Sequence, residues 1–600
     1  MPHSAPDPTL STRRPSPFLP VAALLAVAAA CSSPDAGTRA EAAETALRVA
    51  QEFVDGYYHQ FPEEAYEVGY PDTPMDSLGD RGPSAMDAWR SREDAWRTAL
   101  AAIDPSTVEG TDAAVPLAFT LDRLAASEAR RVCRMELWNV SPTWTGWQSM
   151  LASTFAQQPV RTAAEKAAAL ARLRAVPRYL DAEIANLRAG MASGYLAAQS
   201  NVEAVLRQVG ALLSSPPASS PFHDPALRAE DEAFAGEVSD VVASKIHPAM
   251  ERYGSFLATE YRGREPVGVS ANPEGEACYR ASVRFHTSLA LDPRAIHETG
   301  LREMERIRAE MGRIARGSFG TDDVKGLLER LRTDPQYTFR SEEEVMAYAR
   351  AAVDRAAAAV HDWFGFVPDA HVVIKPFPAY QHASGGGFYS AGSQDGTRPG
   401  TYELGTWMPE TISRAGMEAT AVHETWPGHH LQMSVALFGG GVHPVLRYIY
   451  VAAMAEGWGL YSELLANEMG VYSSDLDRLG MLSNQALRAA RLVVDPGMHV
   501  LGWTRDQAIQ YMLDNTAESR AAIESEVDRY IAVPAQATAY MTGSLEIQRL
   551  RRFASDRLGV RFDIKAFHDL ILRDGAVSLP LLQQAVERWV ADLAATPGDR

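Results

Sequence analysis

The chain has 600 residues, 46% of them hydrophobic and 22% charged, with a formal net charge of −19. Those proportions belong to a folded, water-soluble body and exclude a disordered or membrane-spanning chain. So acidic a surface repels nucleic acid and anionic lipid, and both are excluded as charge-driven partners.

Residues 1–30 read as a targeting segment. Arg13 and Arg14 give a short basic start, and Phe18 to Ala30 is an apolar run that ends at Cys31. The run is short for a bilayer span and suits a secretory signal. Ala28-Ala29-Ala30-Cys31 resembles a bacterial lipobox, although the usual branched residue three before the cysteine is replaced by Ala28. Cys31 is therefore the expected lipidation site, and the expected location is the bacterial cell envelope, facing the periplasm or exterior. Contact with the membrane is expected through the anchor alone. Residues 31–44, rich in Ala, Ser, Asp and Gly, read as a flexible tether, and 45–600 as the folded domain. With Cys31 lipidated, Cys133 and Cys278 remain; they read as two buried thiols, with a pair in an oxidising compartment as the alternative.

Apolar residues at three- and four-residue spacing predict helices over Ala163–Ala189, Pro293–Ile314 and Glu342–Phe364, separated by Pro- and Gly-rich loops near 214–225 and 263–275. One stretch differs. HVVIKPF (371–377), Phe388-Tyr389 and Thr401 to Trp407 are extended in character and flank a Gly-rich segment, Ser384 to Gly387. The fold class expected is mainly α, with a small β-sheet just ahead of the helix that carries the key motif.

That motif is EATAVHETWPGHHLQ, residues 418–432. In the HExxH pattern of zinc peptidases, two histidines one helical turn apart bind the metal and the adjacent Glu serves as general base. Here Pro427 breaks the pattern. On an ideal helix His430 would return to the face of His423 but roughly 10.5 Å along the axis, while His429 would point about 120° away. Neither reaches a shared ion without distortion. Pro427, whose ring collides with the carbonyl four residues back, and Gly428 are expected to supply a bulge that swings His429 towards His423. The third ligand is expected from AEGWGLYSE (455–463), where Glu456 has small or apolar neighbours and Glu463 shares its helical face. Glu463 reads equally as a partner of a ligand or as a solvated residue.

HETWPGHHLQ followed by EGWGLYSE resembles the DUF885 family of bacterial proteins, with its HExxPGH and EGWxxYxE signatures. Further matching stretches are QDGTRPGTYEL (394–404), RAARLVVDPGMHVLGWTRDQAI (488–509) and QATAYMTGSLEI (536–547), so the likeness runs from about residue 45 to the C-terminus. Pro496 departs from the small hydroxyl residue usual there. The resemblance implies a zinc-metallopeptidase-like clan, a large helical fold, and His429 in preference to His430 as second ligand. It implies no substrate. Tyr540 and His499 become candidates for stabilising an oxyanion, with packing roles as their plain alternatives. Arg398 is a candidate for a substrate carboxylate, or a brace of its own loop through Asp395.

The expected function is hydrolysis of peptide or other amide bonds. Zn2+ would be held by His423, His429 and Glu456, and Glu424 would be the general base. The expected partner is a peptide or small amide. The rivals are a surface binding lipoprotein with a non-catalytic metal site and a zinc amidase on a non-peptide substrate.

Overall fold

Ala, Leu, Glu and Arg dominate the chain and favour helix, and periodic apolar stripes give those helices faces to bury. The computed structural model describes residues 36–595 apart from 72, 378–385, 394, 395 and 397. Its first principal helices are α1 (Ala36–Gln60), α2 (Pro83–Ala101) and α3 (Ala114–Arg130). Next come α4 (Ala163–Ser193), α5 (Gln199–Ser214) and α6 (His247–Thr259), then α7 (Gly275–Thr287), α8 (Pro293–Phe319) and α9 (Glu342–Ala359). A sheet follows, built of β1 (Val372–Pro376), β2 (Gly387–Ser390) and β3 (Gly400–Leu404). The C-terminal part comprises α10 (Met417–Glu424), α11 (His429–Phe438), α12 (Ala452–Glu468), α13 (Asp475–His499), α14 (Arg520–Ala532), α15 (Ala539–Leu558) and α16 (Leu579–Ala595). The mainly α class with one small sheet is as the sequence predicts.

Local chemistry sets the helix starts. Thr162 and Glu165 form a reciprocal capping box at α4, each side chain bonding the other's backbone N–H. Asp292 accepts from the Arg294 N–H at 2.9 Å ahead of Pro293, which opens α8. Two expectations need correction. Residues 36–44, read as tether, are the first turns of α1, because AGTRAEAAET is made largely of good helix formers and the same helix goes on to bury Ala46, Val49 and Phe53. The remaining tether residues, the signal segment and Cys31 lie outside the described residues. Cys133 and Cys278, read as buried thiols, form a disulfide. α3 ends in a short turn packed on α7, which brings their Cα atoms to 4.6 Å across 145 residues of sequence, within the reach of the bond.

Buried apolar side chains form three clusters. One unites α4, α5 and α6 around Trp147, Tyr253 and Phe256. A second joins α1–α3, α9, β3, α15 and α16. The third joins α7, α8, α13 and α14. The helices of the motif lie on the seam between the last two: α10 gives Ala421 and Val422 to one core and Ala419 to the other, and α12 gives Trp458 to one and Leu460 to the other. Packed on both sides, they form a rigid base for polar groups. In the sheet, β3 is central, parallel to β1 and antiparallel to β2, with Tyr389 opposite Tyr402. Among the described residues no helix is long and apolar enough to cross a membrane.

Candidate metal centre

His423 lies one residue before the end of α10, and His429 is the first residue of α11. The bulge expected inside one helix is instead a full break between two. Thr425 leaves helical geometry (φ −116°, ψ −106°), the Trp426–Pro427 peptide is cis, and Gly428 is neither helical nor extended (φ −75°, ψ −132°). The loop folds back on the end of α10, where the Gly428 N–H bonds the Val422 carbonyl at 3.2 Å. A Cβ on Gly428 would lie 1.9 Å from the His423 carbonyl oxygen, so only glycine fits this approach. Trp458 of α12 ties the loop down by donating from Nε1 to the Pro427 carbonyl at 2.9 Å.

The break brings the two imidazoles together, with ring centroids 4.8 Å apart and planes at 87°. Glu456 of α12 meets both: its Oε2 lies 3.7 Å from His423 Nε2 and 3.5 Å from His429 Nε2. Ligand atoms of His423, His429 and Glu456 all fall within 4.8 Å of one another. Tetrahedral donors at zinc distances stand roughly 3.4 Å apart, so the Glu456 separations match. Gly459 of α12 makes room for this, since a Cβ there would sit 2.7 Å from His423 Nε2.

The opposite ring nitrogens are tied off. His423 Nδ1–H donates to Glu463 at 2.9 Å, and Glu463 is wholly buried. Glu463 also accepts from Gln485 at 3.3 Å. His429 Nδ1 meets Gln432 Oε1 at 3.3 Å. Both rings thus turn Nε2 towards Glu456, the orientation a metal ligand requires. Glu463, open between two readings in the sequence, is a hydrogen-bond partner of His423.

Burial would push His423 down, but Glu456 and Glu463 outweigh it and raise the imidazole to about 9. Burial pushes Glu456 up, yet the two imidazoles hold it well below the usual carboxylate range. Glu424 is raised by burial, with His423 and His429 opposing.

The other sequence candidates fall on different sides of this centre. His430 is turned away: its Nε2–H donates to the Ala370 carbonyl at 3.0 Å and its Nδ1 accepts from Tyr389 of β2 at 2.9 Å, so it fastens α11 to the sheet. Burial lowers it to about 4. His499 is corrected outright as an oxyanion donor. It is fully buried, accepts from the Val269 N–H at 2.9 Å, donates to the Tyr530 carbonyl at 3.0 Å and stacks on Tyr279, which leaves no ring hydrogen for a substrate. Tyr540, near the start of α15, is in electrostatic reach of Glu456; burial and that carboxylate raise its hydroxyl, which stays protonated. Arg398 lies exposed on its loop, its main chain bonded to Ser393, and the proposed partner Asp395 is outside the described residues.

Residues not singled out in the sequence also face the centre. Tyr402 of β3 is buried with an unpartnered hydroxyl in electrostatic reach of Glu424. Tyr450, just before α12, keeps 48% of its surface open, yet burial and the carboxylates Glu67 and Glu456 push its hydroxyl far up. Arg488 of α13 lies in reach of Glu424. Only the i+7 relation of Glu463 to Glu456 could have been found from spacing; the others come from distant elements.

The DUF885 family model, described as a bacterial protein of unknown function, matches residues 62–586. The fold is similar to the crystal structure of a "putative lipoprotein from Colwellia psychrerythraea", with TM-score 0.84 and 25% identity over 92% of this chain and 99% of that one. It is also similar to a "putative lipoprotein of unknown function from Shewanella oneidensis", with TM-score 0.68 and 18% identity over 89% of this chain and 98% of that one. Among curated proteins none matches the sequence.

Proposed function

The chain belongs to the DUF885 family of bacterial proteins of unknown function, and on that premise we propose that it is a zinc-dependent hydrolase of peptide bonds, of the zinc-metallopeptidase type. The observation that carries the reading is the convergence of His423, His429 and Glu456 within 4.8 Å, both rings oriented from behind, with Glu424 next in sequence to the first ligand. A His2Glu donor set suits zinc, and its fourth position would be left for water or substrate. When bound, zinc supplies a Lewis acid that lowers the pKa of water and polarises a carbonyl.

The chain's own residues supply the rest. Glu424, buried and raised, takes a proton from the attacking water and returns it to the leaving amine. Tyr540 keeps its proton at neutral pH and donates to the oxyanion. Strand β2 is a sheet edge packed on α10, a place for an extended substrate to pair. Envelope location by way of lipidated Cys31 is part of the proposal, supported by the apolar run before it, by the two lipoprotein descriptions and by a disulfide suited to an oxidising compartment.

The test is Glu424→Gln, with zinc content and hydrolysis of a peptide library measured together. One zinc per chain with turnover reduced at least a thousandfold is expected. Normal turnover by the zinc-loaded variant would refute the catalytic assignment. Metal-loaded wild type inert to every peptide would favour the binding-protein reading.

A further inference from the structure

Helix α13 brings a positively charged group to the edge of the metal centre. Asn484, Arg488 and Arg491 follow at four- and three-residue spacing and share one face. Asn484 donates to Thr420 of α10 at 3.5 Å, which sets this face against the helix of His423 and Glu424. Arg488 accordingly lies in electrostatic reach of Glu424. Arg491 sits under Tyr540, its guanidinium carbon 4.3 Å from the ring centroid. The same tyrosine is in electrostatic reach of Glu456.

Two guanidiniums of the group share one carboxylate. Arg491 donates to Glu526 at 2.6 Å and to the Tyr530 hydroxyl at 2.9 Å. Arg529 holds the same carboxylate, at 3.0 and 2.8 Å. Glu526 therefore serves two buried guanidiniums. Glu518 also faces Arg488 and Arg491; burial raises its carboxyl and the arginines oppose the shift. Asp495, in reach of Arg529, is pushed up to about 7 by burial and bonds Tyr279 and the Ala535 N–H instead. Arg491 keeps only 5% of its surface exposed, and its Nη1 has no hydrogen-bond partner; Arg488 Nε is buried and bare as well. A buried charged donor left bare is costly, and a guanidinium with free donors is suited to a carboxylate.

We infer that Arg488 and Arg491, backed by Arg529, form a carboxylate subsite that holds the C-terminal end of a peptide substrate, so that the enzyme cuts near that end. The inference rests on the hydrolase reading and names its substrate class. An acidic side chain offers the same chemistry, and the experiment separates the two sources.

A mixed library of N-acetylated tetrapeptides is prepared as free acids, as C-terminal amides, and as amides that carry an internal glutamate. Hydrolysis is followed with zinc-loaded wild type, and binding with Glu424→Gln. The expected result is at least a tenfold preference for free acids over both amide sets, in kcat/KM and in affinity. Arg488→Gln and Arg491→Lys should reduce that ratio towards one; the half-buried Arg488 keeps the test valid if Arg491→Lys misfolds. Equal cleavage and equal binding of acids and amides would overturn the subsite while leaving the hydrolase reading intact. A preference for the glutamate-bearing amides would overturn the C-terminal assignment. Absence of all cleavage would count against the hydrolase reading, and the binding ratio would then decide the subsite alone.

Discussion

Exchange of Glu463 for Gln tests whether the back of the metal centre is built as described. Glu463 is wholly buried, with one oxygen 2.9 Å from His423 Nδ1 and the other 3.3 Å from Gln485 Nε2. A carboxylate accepts from both; an amide cannot. If its oxygen faces His423, its NH2 group meets the NH2 of Gln485. Rotation of the Gln485 amide does not cure this, because Gln485 Nε2 also donates to the Leu460 carbonyl at 3.1 Å and its oxygen would then face that carbonyl. One repulsive pair therefore remains, and the charge behind the ring is lost. Partners of this kind are typically worth 10–100-fold in metal affinity, or about 1.4–2.7 kcal/mol. The assay is competition for zinc against a chelator of known affinity, with helical content checked by circular dichroism. A folded Glu463→Gln protein that binds zinc within twofold of wild type would falsify the claim that Glu463 orients His423.

Three further outcomes are expected. His429→Ala should lose stoichiometric zinc while His430→Ala retains it, because His430 spends both nitrogens on Ala370 and Tyr389; metal analysis of the pair decides this, and the reverse pattern would exchange the ligands. Tyr540→Phe should lower kcat by 10²–10³-fold, as expected for loss of one oxyanion donor, with zinc content unchanged; steady-state kinetics that moved only KM would assign the hydroxyl to binding instead. His499→Gln should keep kcat/KM within about threefold, since an amide reproduces one donor and one acceptor. It should also flatten the acid sensitivity of the fold. His499 stands at about 3 when folded against 6.5 unfolded, so its contribution to stability is complete above pH 6.5 and is lost as pH falls from there towards 3. Urea midpoints of wild type should then fall relative to the variant by up to about 1.4 kcal/mol per pH unit within that window; parallel curves would rule out a buried neutral His499.

The sequence by itself determined the chemistry of the donors and the class of the fold. Apolar periodicity predicts the helices because burial of a stripe is a local pattern, and α4, α8 and α9 start where their caps and prolines place them. His423, Glu424 and Glu456 are legible because a buried carboxylate or imidazole among small apolar neighbours needs a cation. Spacing also left Glu463 open, and only the fold turned it to His423. What the sequence could not decide was direction. Pro427 and Gly428 signal distortion, yet whether the chain bulges or breaks depends on Trp458 holding the loop from another helix. His499 reads as a candidate oxyanion donor in one dimension and becomes a fully satisfied brace only when residues 269 and 530 close on it. Cys133 and Cys278 pair because two helices far apart in sequence pack there. Arg491 acquires its setting only when α14 and α15 bring Glu526, Arg529 and Tyr540 against it. Side-chain identity is a property of the chain; the partners that decide its role are supplied by packing, which residue spacing does not encode.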